Sequence, residues 1–241
     1  MATDYQTIYI LGGGMLLQER KLEVSSNNVA NVSTPGFKKD YLTVVSYYVP
    51  NGEKVQETRP FEPSNNYVYP IVNGVRTILS QGSLVKTDNP LDLAIEGEGF
   101  FAVRTPEGIL FTRKGMFRIN EEGLLTTEEG YPVLDENLNP ITLQGQEIKV
   151  TEDGTIFVDG EQVGKIGIFK LQNLQKIGED FFQGNPTPSS AYKIHQGFYE
   201  ASNVNAIKEV VKVIESVRAH EIFSKLIQMT DELQGRWNQA I

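Results

Sequence analysis

Both ends of the chain are free of proline, and all 11 prolines lie between them. Near the N-terminus, Ile8, Met15, Leu22 and Val29 recur every seven residues, with Leu11, Gln18, Ser25 and Val32 at the companion position. Near the C-terminus, Ile207, Val210, Ile214 and Val217 form a stripe that resumes at Ile222, Leu226, Met229, Leu233 and Trp237. Proline removes a backbone donor and clashes with the preceding turn, so its confinement to the middle leaves long helices to the two ends. Such a chain is built so that its ends pack together, or pack against copies of themselves.

The spacing predicts a first helix from about Asp4 to Val32, ended by Pro35-Gly36. Polar Gln18 and Ser25 at the companion position suit one helix among many neighbours better than a free two-stranded coiled coil. Gly12-Gly13-Gly14 costs roughly 1 kcal/mol per glycine relative to alanine, and leaves room for another backbone to approach. The second helix is expected from about Asn203 to Gln239, capped by Ser202-Asn203, with Glu221 and Lys225 as an i,i+4 pair. At 1.5 Å per residue it reaches roughly 50 Å, and few apolar residues elsewhere are free to cover its stripe. The stripe implies partners.

Between the helices, Tyr41–Val49 and Tyr67–Val72 read as edge-like strands, broken by Pro50-Asn51-Gly52 and Pro63-Ser64-Asn65. From Gln81 to about His195 strand signals become regular, with turns at Pro106-Glu107-Gly108, Glu121-Glu122-Gly123 and Glu152-Asp153-Gly154. Asp159-Gly160, between Thr155–Val158 and Glu161–Val163, predicts a tight hairpin. Phe100, Phe101, Phe111 and Phe117 read as core anchors, and Pro186–Ser190 as a linker to the last helix. The expected class is α+β: paired, coiled-coil-like terminal helices flanking a β-rich sandwich or irregular barrel. The expected divisions are 1–36 with 200–241 as a helical assembly domain, 37–80 as an extended arm, and 81–199 as the β-rich domain.

The net charge of −9, with no basic cluster beyond Lys38-Lys39, argues against a nucleic-acid surface. The absence of cysteine excludes disulfides and thiolate chemistry, and two histidines, His195 and His220, leave little for a metal site. No segment approaches the ~20 apolar residues of a membrane span, and the first residues lack the basic-then-apolar pattern of a cleaved secretory signal.

No catalytic constellation emerges, and no cofactor or metal is expected. Gly12-Gly13-Gly14 follows no strand and lacks the Gly-Lys-Ser/Thr ending of a phosphate loop. Glu96 and Glu98 fall on one strand face, but glycosidases draw their carboxylates from opposite sides of a cleft. Asp153-Gly154 and Asp159-Gly160 lack the closing glutamate of a calcium loop and read as turns. Asn31-Val32-Ser33 fits a glycosylation acceptor but falls at a helix end. His220 reads as a packing or surface residue, and His195 as part of a linker.

Three segments carry a family resemblance. The first is Asn27-Asn28-Val29-Ala30-Asn31-Val32-Ser33-Thr34-Pro35-Gly36-Phe37-Lys38. The second runs from Gln81-Gly82-Ser83-Leu84 through Thr87-Asp88-Asn89-Pro90-Leu91-Asp92 to Gly99-Phe100-Phe101, continued by Phe111–Gly115 and Gly130–Val133. The third is Glu200-Ala201-Ser202-Asn203-Val204-Asn205, leading into Ile214–Glu221. Together they resemble the flagellar basal-body rod and hook family, with His220 where relatives usually carry Tyr or Phe. The resemblance implies a non-enzymatic axial subunit, exported through the flagellar type III apparatus without signal cleavage and polymerised into the periplasmic rod. It implies terminal helices that form an inner tube and a middle domain that forms an outer layer. The short arm and Val163–Phe169 favour the proximal rod type over the distal, whose relatives carry an added segment in the arm. Partners would be copies of itself, neighbouring rod and hook proteins, and the export apparatus. The expected assembly interface is Ile8, Leu11, Met15, Leu22, Val29, Ile207, Val210, Ile214, Val217, Leu226, Met229 and Leu233. The motif residues are Asn27, Asn28, Ala30, Asn31, Thr34, Gly36, Phe37, Asn203 and Asn205. Two other readings stay open: a peptidoglycan-acting enzyme using Glu96 and Glu98, and a soluble coiled-coil adaptor.

Overall fold

The first helix, α1, runs Gln6–Ala30 and stops two residues before the expected Val32. Beyond it the Asn31 carbonyl accepts the Thr34 amide, and the Thr34 hydroxyl donates to Asn31 Oδ1 at 3.0 Å. Such local bonds compete with the helical ladder and end it. Gly36 then takes φ +73°, with a side chain there blocked by the backbone of Arg113 and Lys114. The computed structural model describes residues 6–49 and 67–239. The turn signals at Pro50-Asn51-Gly52 and Pro63-Ser64-Asn65, the helix start at Asp4 and the Trp237 side chain lie outside the described residues.

Two strands follow, β1 (Asp40–Val49) and β2 (Tyr67–Thr77), paired as a two-stranded sheet. Then come β3 (Leu84–Lys86), β4 (Leu93–Gly97), β5 (Phe100–Thr105), β6 (Gly108–Thr112), β7 (Phe117–Ile119) and β8 (Leu125–Thr127). They are succeeded by β9 (Ile148–Val150), β10 (Thr155–Val158), β11 (Glu161–Lys165), β12 (Ile168–Ile177), β13 (Phe181–Pro188), β14 (Tyr192–Gln196) and β15 (Phe198–Glu200). The last element, α2, runs Ala206–Gln239. The chain is therefore α+β, with a helix at each end of a strand-rich middle.

Pro186–Ser190 is not a linker: β13 extends through Pro188, and two further strands precede α2. Each of those strands is short and pairs far back in the chain, β14 with β4 and β15 with β3, so no local hairpin signal marks them. The four antiparallel strands β12-β13-β6-β5 close into a barrel. Its β5–β6 hairpin turns through Pro106-Glu107, where proline and glycine predicted a turn. The Asp159-Gly160 hairpin forms as expected, pairing Val158 with Glu161 across two residues at φ 52° and 87°. Positive φ at both positions is what a type I′ turn needs to follow strand twist.

The four expected phenylalanine anchors are buried. Adjacent residues of a strand face opposite ways, and Phe100 and Phe101 accordingly serve two cores. Phe101 and Val103 join Leu93, Ile95, Phe117 and Ile156; Phe100 and Ala102 join Phe111, Leu134, Phe169 and Phe182. β5 is thus buried on both faces.

The chain divides into two compact units. One comprises Ala30–Lys39 and Thr77–Val204, and holds the barrel and both cores. The other comprises the described parts of Met1–Val29, Asp40–Arg76 and Asn205–Ile241, and holds α1, α2 and nearly all of the β1–β2 ribbon.

Candidate assembly interface

In the helical unit, α2 leaves most of its large apolar residues exposed, which a self-contained fold would cover. Glu209, Ser216 and Phe223 recur every seven residues on one face; Glu209 and Ser216 are buried, and Phe223 partly so. Toward this face α1 presents Asn28 and Gly14. Asn28 Nδ2 donates to Glu209 Oε2 at 3.2 Å, and a Cβ on Gly14 would lie 2.6 Å from the Phe223 ring. These two contacts run in opposite chain order along α1 and α2. Of the three glycines, only Gly14 has a neighbour this close, and it is an aromatic ring rather than the expected backbone; Gly12 and Gly13 face open space.

Ile207 and Ile214 lie two residues before Glu209 and Ser216, about 160° around the helix from them. That outer face is apolar and bare: Ile207 is 78% exposed, Met229 59% and Leu233 56%, with Val210, Ile214, Val217 and Leu226 also exposed. On α1 the expected stripe of Ile8, Leu11, Met15, Leu22 and Val29 is half-buried. A water-soluble helix normally inverts this arrangement, with polar residues out.

The predicted cap is displaced. Asn205, not Ser202-Asn203, precedes α2, its Oδ1 accepting the Lys208 amide at 3.0 Å. Asn28 fastens α1 to β1 as well as to α2: it accepts the Asp40 amide at 2.9 Å and donates to the Asp40 carbonyl at 2.8 Å. Asn27 and Ala30 are exposed on α1.

In the middle unit, Gly36, Lys38, Gly82 and Arg113, all from the motif segments, converge on Glu200. Lys38 Nζ reaches Glu200 Oε1 at 2.6 Å and Arg113 Nη1 reaches Oε2 at 3.2 Å, with side chains 1%, 0% and 5% exposed respectively for Lys38, Glu200 and Arg113. The Gly82 amide also donates to Oε1, and the Gly36 amide to the Glu200 carbonyl. Burial pushes the Lys38 ammonium below its ordinary pKa, outweighing the pull of Glu200. Asn203 accepts the Lys39 amide and donates to the carbonyls of Ile78 and Ser80. Phe37 is buried beneath the Lys176 ammonium, 4.0 Å from its ring centre. Sequence reasoning singled out Glu200 and Lys38 only as parts of motifs; a buried ion cluster spanning 162 residues leaves no local mark.

Three family models match in chain order. Residues 8–38 match the flagella basal body rod protein model, 94–158 the D1 domain of flagellar hook protein FlgE/F/G, and 195–240 the flagellar basal body rod FlgEFG protein C-terminal region. The chain is 34% identical to the flagellar basal-body rod protein FlgF of Caulobacter vibrioides, over 94% of each chain. It is 32% identical to the rod protein FlgG of Buchnera aphidicola from Schizaphis graminum, over 97% of this chain and 98% of that one. Against FlgG of Bacillus subtilis it is 30% identical over 95% and 96%. The chain belongs to the flagellar basal-body rod protein family.

In this family member the carboxylates of the enzymatic reading do not form a pair. Glu96 Oε2 sits 2.7 Å from His195 Nε2, while Glu98 is bonded to Lys170 at 2.6 Å. Lys170 holds the Glu98 carboxyl below its ordinary pKa, the reverse of what a general acid needs. His195 lies on β14 rather than in a linker. Asp153 and Asp159 serve turns: Asp153 accepts from Thr151 and Thr155, and Asp159 from the amides of Gln146 and Glu147. Among the described residues no cluster of three or more His, Asp or Glu is placed to hold a metal ion. No described helix is long and apolar enough to cross a membrane.

Proposed function

We propose that the chain is a structural, non-enzymatic subunit of the bacterial flagellar rod, of the proximal type, that polymerises through its paired terminal helices. The observation that carries this reading is the bare apolar face of α2, set against an inner face on which α1 meets buried Glu209 and partly buried Phe223. At about 25 cal/mol per Å² of apolar surface, covering a 34-residue helix face is a strong drive to associate. A face this long cannot be satisfied by a small ligand, and repeated head-to-tail contact between identical chains generates an open helical filament. The assembly surface comprises Ile8, Leu11, Met15, Leu22 and Val29 of α1 with Ile207, Val210, Ile214, Val217, Leu226, Met229 and Leu233 of α2.

The proximal type is favoured by the short arm over residues 37–80, where distal-type relatives are expected to carry an added segment. The alignment with the Buchnera FlgG runs over 259 residues, more than the 241 of this chain, so that relative carries segments absent here. The alignment with the Caulobacter FlgF runs over 235. Neighbouring rod proteins are the natural partners beyond identical copies, and the periplasm, reached through the flagellar export apparatus, is the natural setting.

Electron microscopy of the concentrated purified protein tests the reading. Open filaments are expected; a closed small oligomer would favour an adaptor, and a monomer at every concentration would sink the proposal.

A further inference from the structure

Glu200 comes late in the chain, 162 residues after Lys38 and 87 after Arg113, yet both cations are buried against it. The rest of the middle unit shows the same dependence on late segments. β5 and β6 are flanked by β12 and β13, β4 by β14, and β3 by β15, whose last residue is Glu200. Closing this unit without Glu200 would bury two positive side chains with no carboxylate between them, and an uncompensated buried charge is strongly destabilising. Arg113 cannot escape by losing its proton. Its Nη atoms are held by the carbonyls of Ile95 and Gly97, neutral acceptors that do not cancel its charge, and its Nε is buried without a hydrogen-bond partner. The Gly82 amide, which donates to Glu200 Oε1, would be stranded as well.

We infer that Glu200 is a folding latch: the middle unit closes only once the chain has been supplied through residue 200, and a chain still lacking that segment stays open. The latch reads completeness, because its cations come from residues 38 and 113 and its anion from the final strand of the unit. A chain that emerges N-terminus first during synthesis is thereby kept from closing its middle unit half-way.

The test uses the full-length chain and hydrogen exchange during refolding. In the native sequence, the amides of Ala102, Val103 and Phe111 should gain protection in the same kinetic phase as Ala201. Glu200→Gln should lower equilibrium protection of those β5–β6 amides at least ~100-fold, the size expected for a broken buried ion cluster. Replacing all three charges together, Lys38→Met, Arg113→Met and Glu200→Leu, removes the uncompensated cations. That variant should fold with β5–β6 protected in a phase ahead of Ala201. A Glu200→Gln chain that never folds, beside a triple variant that does, supports the latch more strongly still. Protection in Glu200→Gln within twofold of native would overturn the latch. So would a single concerted phase in the triple variant, or its failure to fold, since the segment would then act by shape and not by charge.

Discussion

Asp153 accepts hydrogen bonds from the hydroxyls of Thr151 and Thr155 at 2.5 and 2.7 Å, and these hold its pKa down to about 2. A carboxyl depressed in the folded state adds stability above its unfolded value, near 3.8, and loses it as pH falls through about 2. Because the group is solvent-exposed, that contribution is small. Carbon-detected NMR titration should place its midpoint near 2, and Thr151→Val should move it up toward the ordinary value. Asn28 is the opposite kind of residue, buried and bonded to β1 and α2 at once. Asn28→Ala strands the Asp40 amide and should cost about 1–3 kcal/mol of local stability, read as faster hydrogen exchange at Asp40. The sequence announced the Asp159-Gly160 turn because its cause is local: two positive φ values fall on residues that tolerate them. It named Asn203 as a cap, yet Asn205 caps α2 while Asn203 holds Lys39, Ile78 and Ser80. Both asparagines have the chemistry; only the tertiary fold decides which amide each one meets.

At the scale of elements, both helices and most of the strand-rich middle were legible, because periodicity and turn residues act within a few positions. The strands β14 and β15 were not, since their partners lie about a hundred residues earlier. Nor could periodicity tell which way α2 turns its stripe: it shows that Ile207, Ile214 and Val217 share a side, never what covers it. The fold turns Glu209 and Ser216 inward and leaves the stripe bare. Consequently, substituting the outer face should leave the isolated chain almost untouched. Met229→Lys with Leu233→Lys should change its unfolding free energy by less than about 0.5 kcal/mol, as for other exposed sites. The same pair should abolish filaments under conditions where the native chain forms them. A large loss of monomer stability in circular dichroism melts would mean that this face is covered within one chain.

For the whole molecule, the chain passes between its two compact units four times, and the N- and C-terminal family motifs each span one of those crossings. The N-terminal motif is divided: Asn28 serves the helical unit, while Asn31, Thr34, Gly36, Phe37 and Lys38 belong to the middle one. The C-terminal motif is divided in the same way, between Glu200 with Asn203 and the cap Asn205. A motif at a crossing must satisfy two folds with consecutive residues, which explains its density of asparagine, glycine and buried charge. It also makes the N-terminal boundary sharp in energy. Deleting residues 1–29 removes only the helical unit's share, so the middle unit's calorimetric melting temperature should stay within about 2 °C. Deleting residues 1–38 takes away buried Phe37 and Lys38, together with the Gly36 amide bonded to Glu200. Losing a core phenylalanine alone costs about 3–5 kcal/mol, so the second deletion should lower that melting temperature by more than about 5 °C. Equal melting of the two deletions would show that residues 30–38 add nothing to the middle unit, and that its fold begins at β3.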